Sequence, residues 1–214
     1  IRKPINIGVI GVGHLGEHHA KHYSNIPDIN LVGVYDLNFK RSAYIAKKYK
    51  TIAYRDLQKL IDNVNALSIV TPTSSHYEIA KLCIENKKHV FIEKPITINL
   101  KQADILIKLG MDNSIIIQVG HIERLNPALL ALKKYDIKPT FLEIQRLAPY
   151  TSRGSDVPVV LDKMIHDIDI VLSLVKSDVH SLDATGMSII TNSLDIAQAR
   201  IKFKNGTVAS LMSS

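Results

Sequence analysis

The run INIGVIGVGHLG, residues 5–16, decides the fold. Its first half is apolar and β-branched, which reads as a buried strand over 5–10. Its second half, Gly11-Val12-Gly13-His14-Leu15-Gly16, has the G-x-G-x-x-G spacing, and a helical pattern over 14–25 follows it. Alone that spacing is weak. Between a strand and a helix, with Asp36 closing the next apolar run, it reads as a dinucleotide turn. The glycines serve the tight turn, the backbone approach to a pyrophosphate and the packing of helix on strand. The helix start offers free N–H groups to phosphate, and His14 and Leu15 lie within the loop. Asp36 is placed to accept the adenosine ribose hydroxyls, so NAD is expected. Lys40 and Arg41 follow closely and favour NADP, the lesser alternative.

Further apolar runs at 31–35, 66–70, 89–92 and 115–119 alternate with helical patterns near 39–49, 55–62, 75–87 and 99–111. Such alternation predicts a parallel sheet covered on both faces. Ligands bind at the carboxyl ends of such strands. Two more loops fall there, Thr71-Pro72 with His76 and Glu93-Lys94-Pro95, and all belong to the expected cofactor site. From 121 the pattern changes: a helix near 127–134, a strand over 141–147, a polar loop, a helix over 160–175, strands over 179–190 and 195–203, and a hairpin turn at Lys204-Asn205-Gly206-Thr207. The expectation is an α/β chain with a Rossmann domain, 1–120, and an α+β domain, 121–214, whose open sheet is largely antiparallel.

The helix over 160–175 carries LDKMIHDIDIVL, residues 161–172. At about 100° per residue, Leu161, Met164, Ile165, Ile168, Val171, Leu172 and Val175 share one broad face. Asp162, His166, Asp169 and Ser173 line up beside it. Taken alone, the strip suits a core histidine held by a carboxylate, a metal ligand or a proton acceptor.

Composition narrows the classes. The 214 residues are 46% hydrophobic and 22% charged, ordinary for a globular protein. No run reaches the roughly 18–20 apolar residues of a membrane helix, and no membrane association is expected. One cysteine, Cys83, leaves no internal disulfide, and a cytoplasmic protein is expected. The net charge of +7 is spread thinly, without interleaved aromatics, and reads first as the composition of a lysine-rich proteome; attraction for small phosphorylated ligands comes next, and no nucleic acid is expected. His14, His18 and His22 share a helix face, but the loop before them is committed to phosphate, so no metal is expected. The chain starts at Ile1 and ends in an uncapped strand, and so is expected to be part of a longer protein.

Together Gly11–Gly16, Thr71-Pro72 with His76, Glu93-Lys94-Pro95 and Asp162-x-x-x-His166 resemble the Gfo/Idh/MocA oxidoreductases along the whole chain. The resemblance implies a second domain that shapes the substrate site. It also implies catalytic roles for Lys94, which contacts substrate and cofactor, and for His166, the acid/base, with Asp162 as its neighbouring carboxylate. The segments 119–127 and 146–153 are similar to the branch that oxidises UDP-N-acetylglucosamine at its 3-hydroxyl for an aminotransferase, in the synthesis of amino-substituted lipid A. On that reading Arg124, Asn126, Arg146, Tyr150 and Arg153 are substrate-binding candidates, and a homo-oligomer is expected. A dehydrogenase of a free polyol such as inositol, and a non-catalytic NAD-sensing regulator, are the alternatives.

Overall fold

The computed structural model describes residues 3–149 and 157–214. The chain divides into two compact units, Ile1–Gly120 and His121–Ser214.

The first unit runs β1 (Ile5–Ile10), α1 (His14–Tyr23), β2 (Ile29–Tyr35), α2 (Phe39–Tyr49), β3 (Ile52–Tyr54), α3 (Leu57–Asp62), β4 (Ala66–Ile69), α4 (Thr73–Glu85), β5 (His89–Ile92), α5 (Leu100–Asp112) and β6 (Ile117–Val119). All strands pair in parallel, in the order β3-β2-β1-β4-β5-β6. Neighbours on β1 show why the strand runs carry no polar alternation. Val9 packs with Val34 and Ile45 on one face, while Ile10 packs with Leu60, Ile69 and Ile92 on the other. Both faces are covered, so both side-chain sets are apolar. Side chains set three helix starts: Asn38, Asp56 and Asn99 accept from the N–H groups of Arg41, Gln58 and Gln102. Strand order reverses at β1, between β2 and β4, and the loops after β1 and β4 diverge there. Ligands of such sheets enter at that point.

The second unit opens with a 3₁₀ turn (Ile122–Leu125), α6 (Pro127–Leu132) and β7 (Phe141–Arg146). A π-helical turn, Val160–Met164, leads into α7 (Ile165–Leu174), and β8 (Val179–Met187), β9 (Ile196–Phe203) and β10 (Val208–Ser213) follow. The sheet order is β7-β10-β9-β8, antiparallel except for the β7–β10 pair. One face is closed by α7, where Met164, Val171 and Val175 pack on Ala199, Ile201, Phe203 and Leu211. The alternation of buried and exposed residues along β9 marks the other face as open.

Four features depart from the reading of the sequence. Strand β3 is three residues long, too short to leave a period. The expected strand over 179–190 ends at Met187. Its apolar continuation folds instead around Asp195, whose carboxylate accepts from the N–H groups of Ile189, Ile190 and Thr191 at 2.6, 2.6 and 2.8 Å. The N–H and hydroxyl of Thr191, then the N–H groups of Ile189 and Ile190, hold the Asp195 carboxyl well below the usual carboxylate range. The expected helix over 160–175 starts with a wider turn, Val160–Met164, which carries Asp162. Its buried face also differs: Leu172 is 49% exposed, while Asp167 is buried.

Asp167 is satisfied by Arg146, whose Nε and Nη2 donate to its carboxylate at 3.0 and 2.7 Å. Removing one member of a buried pair leaves an uncompensated charge. Arg146 is partly exposed, so Asp167→Ala is expected to lower stability by about 2–3 kcal/mol, below the full buried-pair loss. Urea unfolding of the full-length protein would show it as a lower midpoint at unchanged slope; an unmoved midpoint would mean the pair contributes little.

Candidate active site

The glycine turn is built by close backbone contacts. Gly11 has φ of +82°, and a Cβ there would lie 2.7 Å from the Val70 carbonyl oxygen. A Cβ on Gly16 would lie 1.9 Å from the carbonyl oxygen of Gly11, so only glycine lets α1 pack on the turn. Gly13, which begins α1, has open space where its Cβ would be. His14 and Leu15 are exposed beside it, with the His14 ring edge-to-face on His18.

Two charged side chains brace the turn. Asp36 accepts from the N–H of Val12 and that of Asn38, both at 2.8 Å. Arg41 donates through Nε to the Val12 carbonyl at 2.7 Å, and through Nη2 to Gly13 and to Glu17 at 3.2 and 2.6 Å. Arg41, a candidate cofactor contact, thus also braces the turn from within.

His76 also has an internal role. It is 1% exposed, with Nδ1 2.9 Å from the Pro95 carbonyl oxygen and Nε2 2.8 Å from that of Thr71. The ring lies beneath the two loops and ties one to the other. Thr71 is further held by the Ser75 hydroxyl at 2.7 Å. Pro72 occupies the position before α4, and its ring is exposed.

Glu93 and Lys94 follow β5, and the Lys94–Pro95 peptide is cis. Lys94 is half-buried. The Glu93 carboxylate meets His19 Nε2 at 3.0 Å, while His19 Nδ1 lies 2.8 Å from the Ser68 hydroxyl. A carboxylate accepts only, so Nε2 carries a proton, and in the neutral ring Ser68 donates to Nδ1. Tyr23, one turn beyond His19, also bonds Ser68; burial pushes its hydroxyl pKa up, that bond lowers it and the nearby Glu93 raises it. Gly120 leaves room for Glu93, since a Cβ there would stand 3.0 Å from both carboxylate oxygens. Reading the sequence missed His19. The signal was there in its i, i+4 spacing with Tyr23, next to the buried Ala20, which turns both rings toward the sheet.

In the second unit, two arginines grip α7. Arg124 donates to both oxygens of Asp169 at 2.7 and 2.6 Å, and Arg146 holds Asp167 and lies 3.6 Å from Glu123. Hydrogen bonds to these carboxylates raise both guanidinium pKa values. Asn126 caps α6, accepting from the Ala128 N–H at 3.0 Å. Asp162 sits in the π turn and His166 in the first turn of α7, both half-buried. His166 is thus flanked along the helix by two carboxylates, Asp167 and Asp169, that arginines already hold. Tyr150 and Arg153 lie outside the described residues. Among the described residues, no three or more His, Cys, Asp or Glu are grouped to hold a metal ion. Nor is any helix among them long and apolar enough to cross a membrane.

The description "oxidoreductase family, NAD-binding Rossmann fold", that of Gfo/Idh/MocA, matches residues 5–121. The chain belongs to the Gfo/Idh/MocA oxidoreductases. UDP-N-acetylglucosamine 3-dehydrogenase from Acidithiobacillus ferrooxidans is 39% identical over 97% of this chain and 66% of its own length. A solved structure of that enzyme superposes with a TM-score of 0.93 at 38% identity, covering 100% of this chain and 70% of the other. Myo-inositol 2-dehydrogenase from Thermotoga maritima is 28% identical over 95% of this chain and 66% of its own. The chain therefore spans about two thirds of the length of the curated relatives it matches.

The glycine turn fits the NAD of this Gfo/Idh/MocA fold. The space over Gly13 admits a pyrophosphate against the start of α1, and Asp36 stands at the end of β2, where the ribose is received. Two alanine substitutions separate ligand space from packing. Gly13→Ala is expected to weaken NAD binding by at least about tenfold, a loss of about 1.4 kcal/mol, at unchanged melting temperature. Gly16→Ala is expected to lower both, because its methyl meets backbone. Calorimetric titration with thermal melts reads both quantities, and unchanged NAD affinity in Gly13→Ala would remove the pyrophosphate from that space.

Proposed function

We propose that the full-length protein is an NAD-dependent dehydrogenase that oxidises the 3-hydroxyl of UDP-N-acetylglucosamine to a ketone, which an aminotransferase then consumes. The observation that carries the choice of sugar is the 39% identity with UDP-N-acetylglucosamine 3-dehydrogenase, against 28% for the myo-inositol enzyme. The chemistry rests on Lys94 after β5 and His166 on α7.

Bound NAD supplies the hydride acceptor. The Gly11–Gly16 turn and Asp36 hold it by its phosphates and ribose. His166 accepts the proton of the sugar hydroxyl as the carbinol carbon is oxidised, which is general-base work suited to imidazole at neutral pH. Asp162 is the neighbouring carboxylate that stabilises the imidazolium. Lys94 donates to the same oxygen and stabilises charge that develops on it before the ketone forms. The Glu93–His19–Ser68 chain fixes the base of the Lys94 loop, and His76 fixes its far side. For the diphosphate, Arg124 is the best-supported cation. It uses Nε and Nη2 on Asp169 yet keeps 57% side-chain exposure, with further N–H donors to offer. Arg146, Asn126, Tyr150 and Arg153 complete the proposed set.

In full-length protein given NAD and UDP-N-acetylglucosamine, with an aminotransferase drawing off the ketone, NADH is expected to accumulate. His166→Ala is expected to lower turnover by about 10²–10⁴-fold, the usual worth of positioned acid/base help, while NAD affinity holds. Turnover unchanged in that variant would return His166 to a packing role. NADH formed from a free inositol and not from the nucleotide sugar would favour the polyol reading.

A further inference from the structure

Helix α1 carries an acidic residue that the reaction does not use. Glu17, one turn into α1, accepts from Arg41 Nη2 at 2.6 Å and from Lys48 Nζ at 2.8 Å, with the Tyr49 hydroxyl at 3.4 Å. Hydrogen bonds from Lys48 and then Arg41 lower its carboxyl pKa to about 2. It therefore remains charged throughout the neutral range. Arg41 is held at the cofactor turn itself: its Nε bonds the carbonyl of Val12, whose N–H is bonded by Asp36. Cation and ribose-receiving carboxylate thus grip one residue of the turn from its two sides.

The charge balance is then simple. Asp36 and Glu17 offset Arg41 and Lys48, leaving these four neutral, with the exposed Lys40 as the next cation along the chain. Without Glu17 the same group is net positive, and its nearest cation loses the anion that occupies it. NADP differs from NAD by a 2′-phosphate on the ribose that Asp36 receives. An arginine with spare donors at that place binds phosphate in bidentate fashion.

We propose that Glu17 is a cofactor-specificity determinant: by occupying Arg41, which shares Val12 with Asp36, and by offsetting Lys48 further along α2, it keeps the turn selective for NAD over its 2′-phosphorylated form. The residue acts through two cations and touches no reacting atom. The inference concerns the cofactor alone and stands or falls independently of the sugar assigned above.

Direct binding tests it without turnover. Calorimetric titrations of full-length protein with NAD and with NADP would give the ratio of dissociation constants for wild type, Glu17→Gln, Glu17→Ser and the double variant Glu17→Gln/Arg41→Met. Wild type is expected to prefer NAD. Both single variants are expected to reduce that preference by about tenfold, the order for removing one charge within several Å of a phosphate dianion. The double variant is expected to regain most of it, since Arg41 is the responding cation. A general weakening of α1 would lower both affinities together and leave the ratio unmoved. A ratio within about twofold of wild type in both single variants overturns the proposal. So does a wild-type protein that binds NADP as tightly as NAD.

Discussion

Everything at the ligand end of the parallel sheet depends on how closely α1 approaches the end of β1. The Gly11 carbonyl oxygen and the Cα of Gly16 are so near that no side chain fits between them. That approach presents the first N–H groups of α1 to the space over Gly13 and brings its later side chains within reach of neighbouring strands. Glu17 reaches α2, and His19 reaches β4 and the residue after β5. One backbone contact thus sets the phosphate cradle, the ribose end and the support of the Lys94 loop.

A second device recurs across the chain. Buried or partly buried carboxylates paired with nitrogen donors hold loops and helices in both units: Glu17 with Arg41, Glu93 with His19, Asp167 with Arg146, Asp169 with Arg124. Against well-packed apolar residues of the same volume such pairs gain little, since desolvation offsets much of the attraction, although leaving one partner alone is costly. Their worth lies in geometry, because a bidentate arginine allows few orientations of its partner. In α7 this matters for His166, which shares its helix with two carboxylates gripped in this way.

Sequence reading recovers what periodicity and motif spacing encode. The parallel unit follows from apolar runs at 5–10 and 89–92, and the glycine turn from three residues whose spacing has a mechanical cause. Long-range partners leave no period. Arg41, two residues into α2, reads as a cofactor cation because its neighbours in sequence point that way, whereas Glu17 claims it from another element. His76 reads as a ligand at a strand end, yet its ring is buried under the loops it joins. The apolar pair Ile189-Ile190 reads as strand because nothing local shows that Asp195 satisfies its N–H groups. The π turn before α7 is likewise invisible to a pattern that assumes about 100° per residue.

Hydride transfer from a sugar carbon, with the chain's own residues handling the proton, is the centre of this account. The most direct measurement uses UDP-N-acetylglucosamine deuterated at carbon 3, with NAD and the full-length protein, followed by mass analysis of the reduced cofactor. Deuterium is expected on the nicotinamide, with a slowed rate. Reduced cofactor carrying only protium would place the oxidation at another carbon and contradict it.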